Sequence, residues 1–357
     1  MRSKISFIFG AEMYSSVLFV NDTRVDNHHG CDAVISAVIA LLRRHGMEVK
    51  MFWPAHAEWR GDAEFEETIS KVDLVLINGE GTIHHDRPAG RQLLELGGRA
   101  RAEGVPVALI NVGWIANGPE LVSLLSDFDL VAARDSLSAV RMRAGGANVR
   151  VVPDLSLWFA QTRGVRPDGN WSRAGIGITD NVDRFKALAL ERLRSACGGQ
   201  TVSIIHGAPG PAGWIRFLRA GVALSEDFIH PARFAALLRL RHRLWWQGST
   251  DTQRFLTHLS SLKLLVSGRF HACTLALSAG TPLIAQASNT DKIEALVHDA
   301  GLGSWRCEGL LDVARVHDAR AIGWSEQEYK NLCNYLDEAA IEAERLFSDL
   351  ANLAAGR

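Results

Sequence analysis

The sequence predicts an α/β protein built as two Rossmann-like domains facing a cleft. Three observations carry that prediction. Short, near-continuous apolar runs alternate with segments of helical period, as in a parallel sheet covered on both faces. The alternation begins afresh beyond a stretch rich in Pro, Gly and Trp, residues 153–173. A chain of 357 residues is also long enough for two separate cores.

The first run, ISFIFG at 5–10, reads as a buried strand, because its apolar stretch is too short for a secretory signal. A loop, NDTRVDNHHGCD, leads into the helix DAVISAVIALLRRHG. Its apolar positions recur at threes and fours, and His45 and the arginines occupy the last turn, where cations suit the helix dipole. Further strands are predicted at 49–54, 72–79, 105–113, 129–135 and 149–154, with helical segments between most of them. The second half repeats the pattern with strands at 174–180, 201–207, 263–269 and 281–287. The tail from Ser325 is a long amphipathic helix or a bent pair. The expected partition is 1–157 for the N-terminal domain, 158–325 for the C-terminal domain and 326–357 for a helix packing back on both.

Composition narrows the function. A formal net charge of −1 supplies no basic field for nucleic acid. Five scattered cysteines without CxxC spacing argue against a disulfide framework or a zinc site and fit a reducing cytoplasm. No apolar run reaches the roughly 18 residues of a membrane span. The basic amphipathic segment RFAALLRLRHRLWW (233–246) reads as a solvated face over an aromatic core edge. Its alternative is contact with a membrane surface or a lipid-linked acceptor.

Ligands of such sheets bind outside the carboxyl ends of the strands, so residues that follow strands are the candidates. Arg269 and His271 stand at a strand-to-helix turn, and Lys292 opens the helix after the next strand. A guanidinium, an imidazole and an ammonium in one crevice make an anion site able to move protons, with His271 kept protonated by the bound anion. Arg134 follows another strand and suits an anionic ligand; the alternative is a salt bridge to Asp135 or Asp154. Glu80, between Gly79 and Gly81, holds a carboxylate at the sheet edge, able to bind a sugar hydroxyl or take its proton. Otherwise it caps the next helix. Asn27 and Gly30 belong to the loop that opens the first helix, where Gly30 permits close backbone approach to an anion and Asp32 is a candidate N-cap. Asn111 offers a polar contact and Trp114 a stacking surface or a core side chain. His84 and His85, as sequence neighbours, point to different faces and lack HxxxH spacing, so no metal site is predicted.

These pieces resemble the polysaccharide pyruvyl transferase family. The resemblance rests on the NxxG-type loop (Asn27, Gly30), the GEG turn, the RDS element at 134–136, the VxxDLS element around Asp154, and GRFHA followed by GTPLIA and DKI. It spans nearly the whole chain in the right order. It implies a fold similar to two-domain GT-B glycosyltransferases. The implied activity is transfer of pyruvate from phosphoenolpyruvate to a sugar of a bacterial surface polysaccharide or its precursor, as a ketal, with no metal or other cofactor. The implied acceptor is a glycan or lipid-linked saccharide, met in the cytoplasm or at the inner face of the membrane. In this resemblance Arg134 and Arg269 clamp phosphoenolpyruvate, Lys292 holds its phosphate or carboxylate, and His271 is the acid or base, with Glu80 as partner. One position departs: Glu80 stands where the family's turn reads Gly-Gly-Gly. That departure keeps a second reading open, a GT-B glycosyltransferase using a nucleotide-activated sugar such as a CMP-linked keto acid. There Glu80 would be the base, and His230, before Pro231, would contact the nucleotide phosphate. A sugar-binding protein without catalysis is the third.

Overall fold

A computed structural model describes residues 14–164, 167, 173–207, 230–288, 290–307, 311–318 and 321–357. The strand expected at 5–10 lies outside them. The N-terminal half runs β1 (Ser15–Asp22), α1 (His29–Arg44), β2 (Met47–Pro54), α2 (Ala63–Ile69), β3 (Leu74–Asn78), α3 (Pro88–Ala102) and β4 (Val107–Val112). It continues with α4 (Pro119–Ser123), β5 (Leu130–Ala133), α5 (Ser136–Ala144), β6 (Arg150–Val151) and α6 (Leu155–Thr162). The second half runs β7 (Ile176–Asn181), α7 (Arg184–Ala196), β8 (Gln200–Thr201), α8 (Pro231–Gln247), α9 (Thr252–Ser261) and β9 (Leu264–Gly268). It ends with α10 (Phe270–Ser278), β10 (Leu283–Ala285), α11 (Lys292–Asp299), α12 (Val313–Val316) and α13 (Glu326–Ala355).

Two parallel sheets result, ordered β2-β1-β3-β4-β5-β6 and β10-β9-β7-β8. In both, the first strand in sequence lies between the second and third. The winding therefore reverses between β1 and β3 and again between β7 and β9. Such switch points open crevices at the strands' carboxyl ends, and both crevices contribute to the site below. The fold is thus α/β with two Rossmann-like halves. One apolar cluster spans them, joining Val38 of α1, Leu157 of α6, Leu275 of α10 and Leu346 of α13. The tail forms a single helix, α13, opened by a capping box of Ser325 and Glu328. It lies against the N-terminal half, where Arg150 reaches Glu342 at 2.8 Å.

Three elements differ from expectation. β1 pairs with both β2 and β3 and was not foreseen. Its run SSVLFV is buried on both faces, so no alternation marks it, and the apolar run just before it satisfies the same pattern. α1 starts a turn early, at His29, with His28 rather than Asp32 as its N-cap; the His28 ring accepts from the Gly30 N–H. β8 ends at Thr201 because the chain then leaves the sheet and pairs with the other lobe. His29 N–H donates to Ile204 O and His206 N–H to Asn27 O, each at 2.9 Å.

Candidate active site

The N-terminal wall starts where β3 ends. Gly81 takes a left-handed φ of +68°, which folds the turn so that Glu80 points inward, 4% exposed. Its carboxylate accepts from Thr23 Oγ1 (3.1 Å), Cys31 Sγ (3.2 Å) and Asn78 Nδ2 (3.4 Å). Burial, and then the charge of Glu80, push the Cys31 thiol up, so it stays a protonated donor. Glu80 caps no helix: the N-cap of α3 is Arg87.

Arg134 follows β5. Its guanidinium lies 4.1 Å from the centroid of the Phe270 ring. Both foreseen acids are near, Asp154 Oδ2 at 3.5 Å and Asp135 Oδ2 at 4.0 Å, yet Arg134 Nε has no hydrogen-bond partner. Asp135 is occupied as the N-cap of α5.

The C-terminal wall is built from the ends of β7 and β9. Arg269 donates through Nε and Nη2 to the two oxygens of Asp180, at 2.7 and 2.5 Å, across the second switch point. Burial works against its charge, but Asp180 outweighs burial and raises the guanidinium further. His271 follows in the first turn of α10, with Nε2 3.5 Å from Glu80 Oε1 and 3.6 Å from Asp154 Oδ2. These two carboxylates, and not a bound anion alone, face its Nε2. Burial pushes the Asp154 carboxyl up, but the His271 and Arg134 charges outweigh it and hold it well below the usual range. Lys292, at the start of α11, is pushed down to about 8 by burial, then by Arg134 and Arg269. Among the described residues it makes no hydrogen bond or ion pair.

Glu80, Arg134, Arg269, His271 and Lys292 all line one cleft of about 280 Å³, together with Gly81, Thr23 and His28. The other sequence candidates lie off its surface. Trp114 is a core side chain, 1% exposed. Asn111 is buried behind the cleft, its Oδ1 accepting from Leu155 N–H. Asn27 folds its amide onto Val25 O. Gly79 packs on Val112, whose Cγ2 a Cβ would meet at 2.5 Å. Gly30 does permit a close approach, but of His271, whose Cβ and Cγ would lie 2.2 Å from an added methyl. His84 and His85 do not diverge: the positive φ of His85 brings their Nδ1 atoms to 2.9 Å. His230 borders a separate groove with Phe185.

Sequence reasoning missed His28 and Asp180 and gave Asp154 no role beyond a salt-bridge alternative for Arg134 and a place in the VxxDLS element. Each ends a strand or opens a helix, which was the available signal.

The architecture is similar to solved GT-B-like enzymes. One is the UDP complex of Staphylococcus aureus MnaA, with a TM-score of 0.51 and 12% identity over 93% of this chain and 95% of that one. Another is a protein described as a UDP-N-acetylglucosamine 2-epimerase from Listeria monocytogenes, with a TM-score of 0.55 and 10% identity over 93% and 95%. At such identities the likeness is one of fold. No curated protein matches the sequence. The model of one family, polysaccharide pyruvyl transferase, matches residues 28–289, and the chain therefore belongs to the polysaccharide pyruvyl transferase family.

Proposed function

We propose that the protein transfers pyruvate from phosphoenolpyruvate to a saccharide, free or lipid-linked, closing a ketal on two of its hydroxyls. The observation that carries this reading is the meeting of Arg134, Arg269, Lys292, His271 and Glu80 in a single cleft at the strands' carboxyl ends. Phosphoenolpyruvate has two anionic ends, and Arg134 and Lys292 supply matching charge, with Arg269 adding to the field. His271 donates a proton from Nε2 to the methylene carbon, and cationic character develops at C2. One sugar hydroxyl adds to C2 and gives its proton to the pair of Glu80 and His271. The C2–O bond to phosphate then breaks, and phosphate leaves with the electron pair and the proton that the Glu80–His271 pair had just taken. The second hydroxyl adds to C2, gives its proton to the same pair, which restores His271 as donor, and closes the ketal. Every charge in this scheme is met by a side chain, so it assigns the step to no metal or cofactor.

The Glu80 departure is compatible with this scheme, because its carboxylate faces His271 and fits a proton-handling role. His230, on which the nucleotide-sugar reading partly leans, does not line the cleft. Among the described residues, no helix is long and apolar enough to cross a membrane. Thermal shift with phosphoenolpyruvate, CMP and neutral glycan, each added separately, tests the proposal. Stabilisation by phosphoenolpyruvate is expected. Stabilisation by CMP alone would favour a nucleotide-sugar transferase, and by glycan alone a binding protein.

A further inference from the structure

We infer that the chain binds one divalent ion of the zinc class between its two lobes, through His29, Asp32 and His206. Their donor atoms all lie within 4.8 Å of one another. His29 and Asp32 are three apart on α1, hence on one face of the helix. His206 comes from the other lobe, carried in by the segment that pairs with residues 27–29. None of the three lines the catalytic cleft. Two imidazoles and one carboxylate form a donor set that suits zinc and leaves a fourth position for water.

The tautomer of His29 is an independent pointer to a ligand. Thr252 Oγ1 has one proton, and it donates it to Asp32 Oδ2 at 3.3 Å. With that proton on Asp32, the same hydroxyl accepts from His29 Nδ1, 3.0 Å away. In this arrangement Nδ1 carries the hydrogen, and Nε2 of the neutral ring presents a lone pair. His29 is fully buried, and Nε2 has no hydrogen-bond partner. The Ser249 backbone lies within weak hydrogen-bond reach of the ring, but makes no contact of full hydrogen-bond geometry with Nε2. The ring is held against rotation by stacking on Phe255 at 4.6 Å. A buried imidazole with one nitrogen fixed by an outer partner and the other bare is how a metal-binding histidine is set up. Without an ion, Asp32 pairs with His206 Nε2 at 2.7 Å, so the remaining donors already face each other.

The full-length chain, stripped with a chelator, is titrated with Zn(II) by calorimetry and with Co(II) by visible absorption. One saturable site per chain is expected, with the intense d–d bands of low-coordinate cobalt. Zinc should raise the melting temperature, because the ion ties two lobes of the folded state only. Asp32→Asn and His206→Gln, both at half-buried positions, should each weaken zinc binding at least tenfold, and His84→Asn should leave it unchanged. The inference is overturned by the absence of stoichiometric binding. It is equally overturned if binding survives both Asp32→Asn and His206→Gln, or is lost in His84→Asn. The cobalt spectrum of the unmodified chain decides the matter should either variant fold poorly.

Discussion

The two walls of the cleft treat their arginines in opposite ways. On the C-terminal wall Arg269 spends one edge of its fork on Asp180 through two short hydrogen bonds. On the N-terminal wall Arg134 is stacked on Phe270, with acids at 3.5 and 4.0 Å and an unpartnered Nε. A guanidinium already matched to a carboxylate has little left for a second bidentate partner. The comparison therefore divides a pair that looks equivalent in sequence. In the proposed reaction Arg134 is the clamp, and Arg269 a fixed charge that also ties β9 to β7 through Asp180.

Removing the proton donor should give the largest effect. His271→Ala is expected to lower turnover by about 10²–10⁴-fold, the usual share of general acid–base catalysis. Calorimetry should still detect phosphoenolpyruvate binding, since both walls keep their cations. Normal turnover in this variant would remove His271 from the mechanism. The arginines come next and test the comparison directly. Arg134→Lys keeps a charge but loses the fork, so phosphoenolpyruvate affinity should fall by about 1.5–3 kcal/mol, the range for hydrogen bonds to charged groups. Its melting temperature should change little. Arg269→Leu should instead act on stability, by about 3–5 kcal/mol, because it leaves Asp180 buried and unpaired. Arg269→Lys should recover part of that loss. If Arg134 controls stability and Arg269 controls affinity, the division of roles is reversed.

Lys292 sharpens the comparison through pH. Its ammonium, displaced to about 8, is lost as pH rises through that value, whereas the unfolded chain keeps its proton up to about 10.5. Between those limits the unfolded state holds the extra proton, so this lysine's contribution to stability rises with pH across the window. Phosphoenolpyruvate affinity runs the other way and should fall towards about tenfold per pH unit above about pH 8. Lys292→Met should flatten both trends. Urea titrations and calorimetry between pH 7 and 10 would show whether it does.

Much of this site was legible because buried parallel strands announce themselves. VLING and LLVSGR are apolar until the residue where the chain leaves the sheet, and a polar side chain there falls in the crevice. That logic reaches Glu80, Arg134, Arg269 and His271 one strand at a time. It cannot reach partners. Asp180 reads like any acid after a strand, and nothing local joins it to Arg269. Asp154 sits on the N-terminal side of the chain but meets His271 from the other lobe. Trp114 follows a strand as the arginines do, and only packing sends it into the core. The inner strand β1 was hidden for a different reason: the apolar run at 5–10 just before it fits the same pattern, and only one of the two could be the first strand.

The smallest effects concern two glycines, equal in the resemblance and unequal in space. At Gly30 the backbone is ordinary, but a methyl group would strike His271 at 2.2 Å. Gly30→Ala should therefore destabilise by about 1–3 kcal/mol through overpacking. It should also cut turnover at unchanged phosphoenolpyruvate affinity, because the displaced group is the proton donor and not the clamp. At Gly81 the space is empty, with nothing within 4 Å, but φ is +68°. Gly81→Ala should cost about 1 kcal/mol for the left-handed backbone alone. Turnover should stay near that of the parent, since Glu80 remains tied to Thr23, Cys31 and Asn78. Equal losses of turnover in the two variants would mean that the turn around Glu80, and not the seat of His271, limits the reaction.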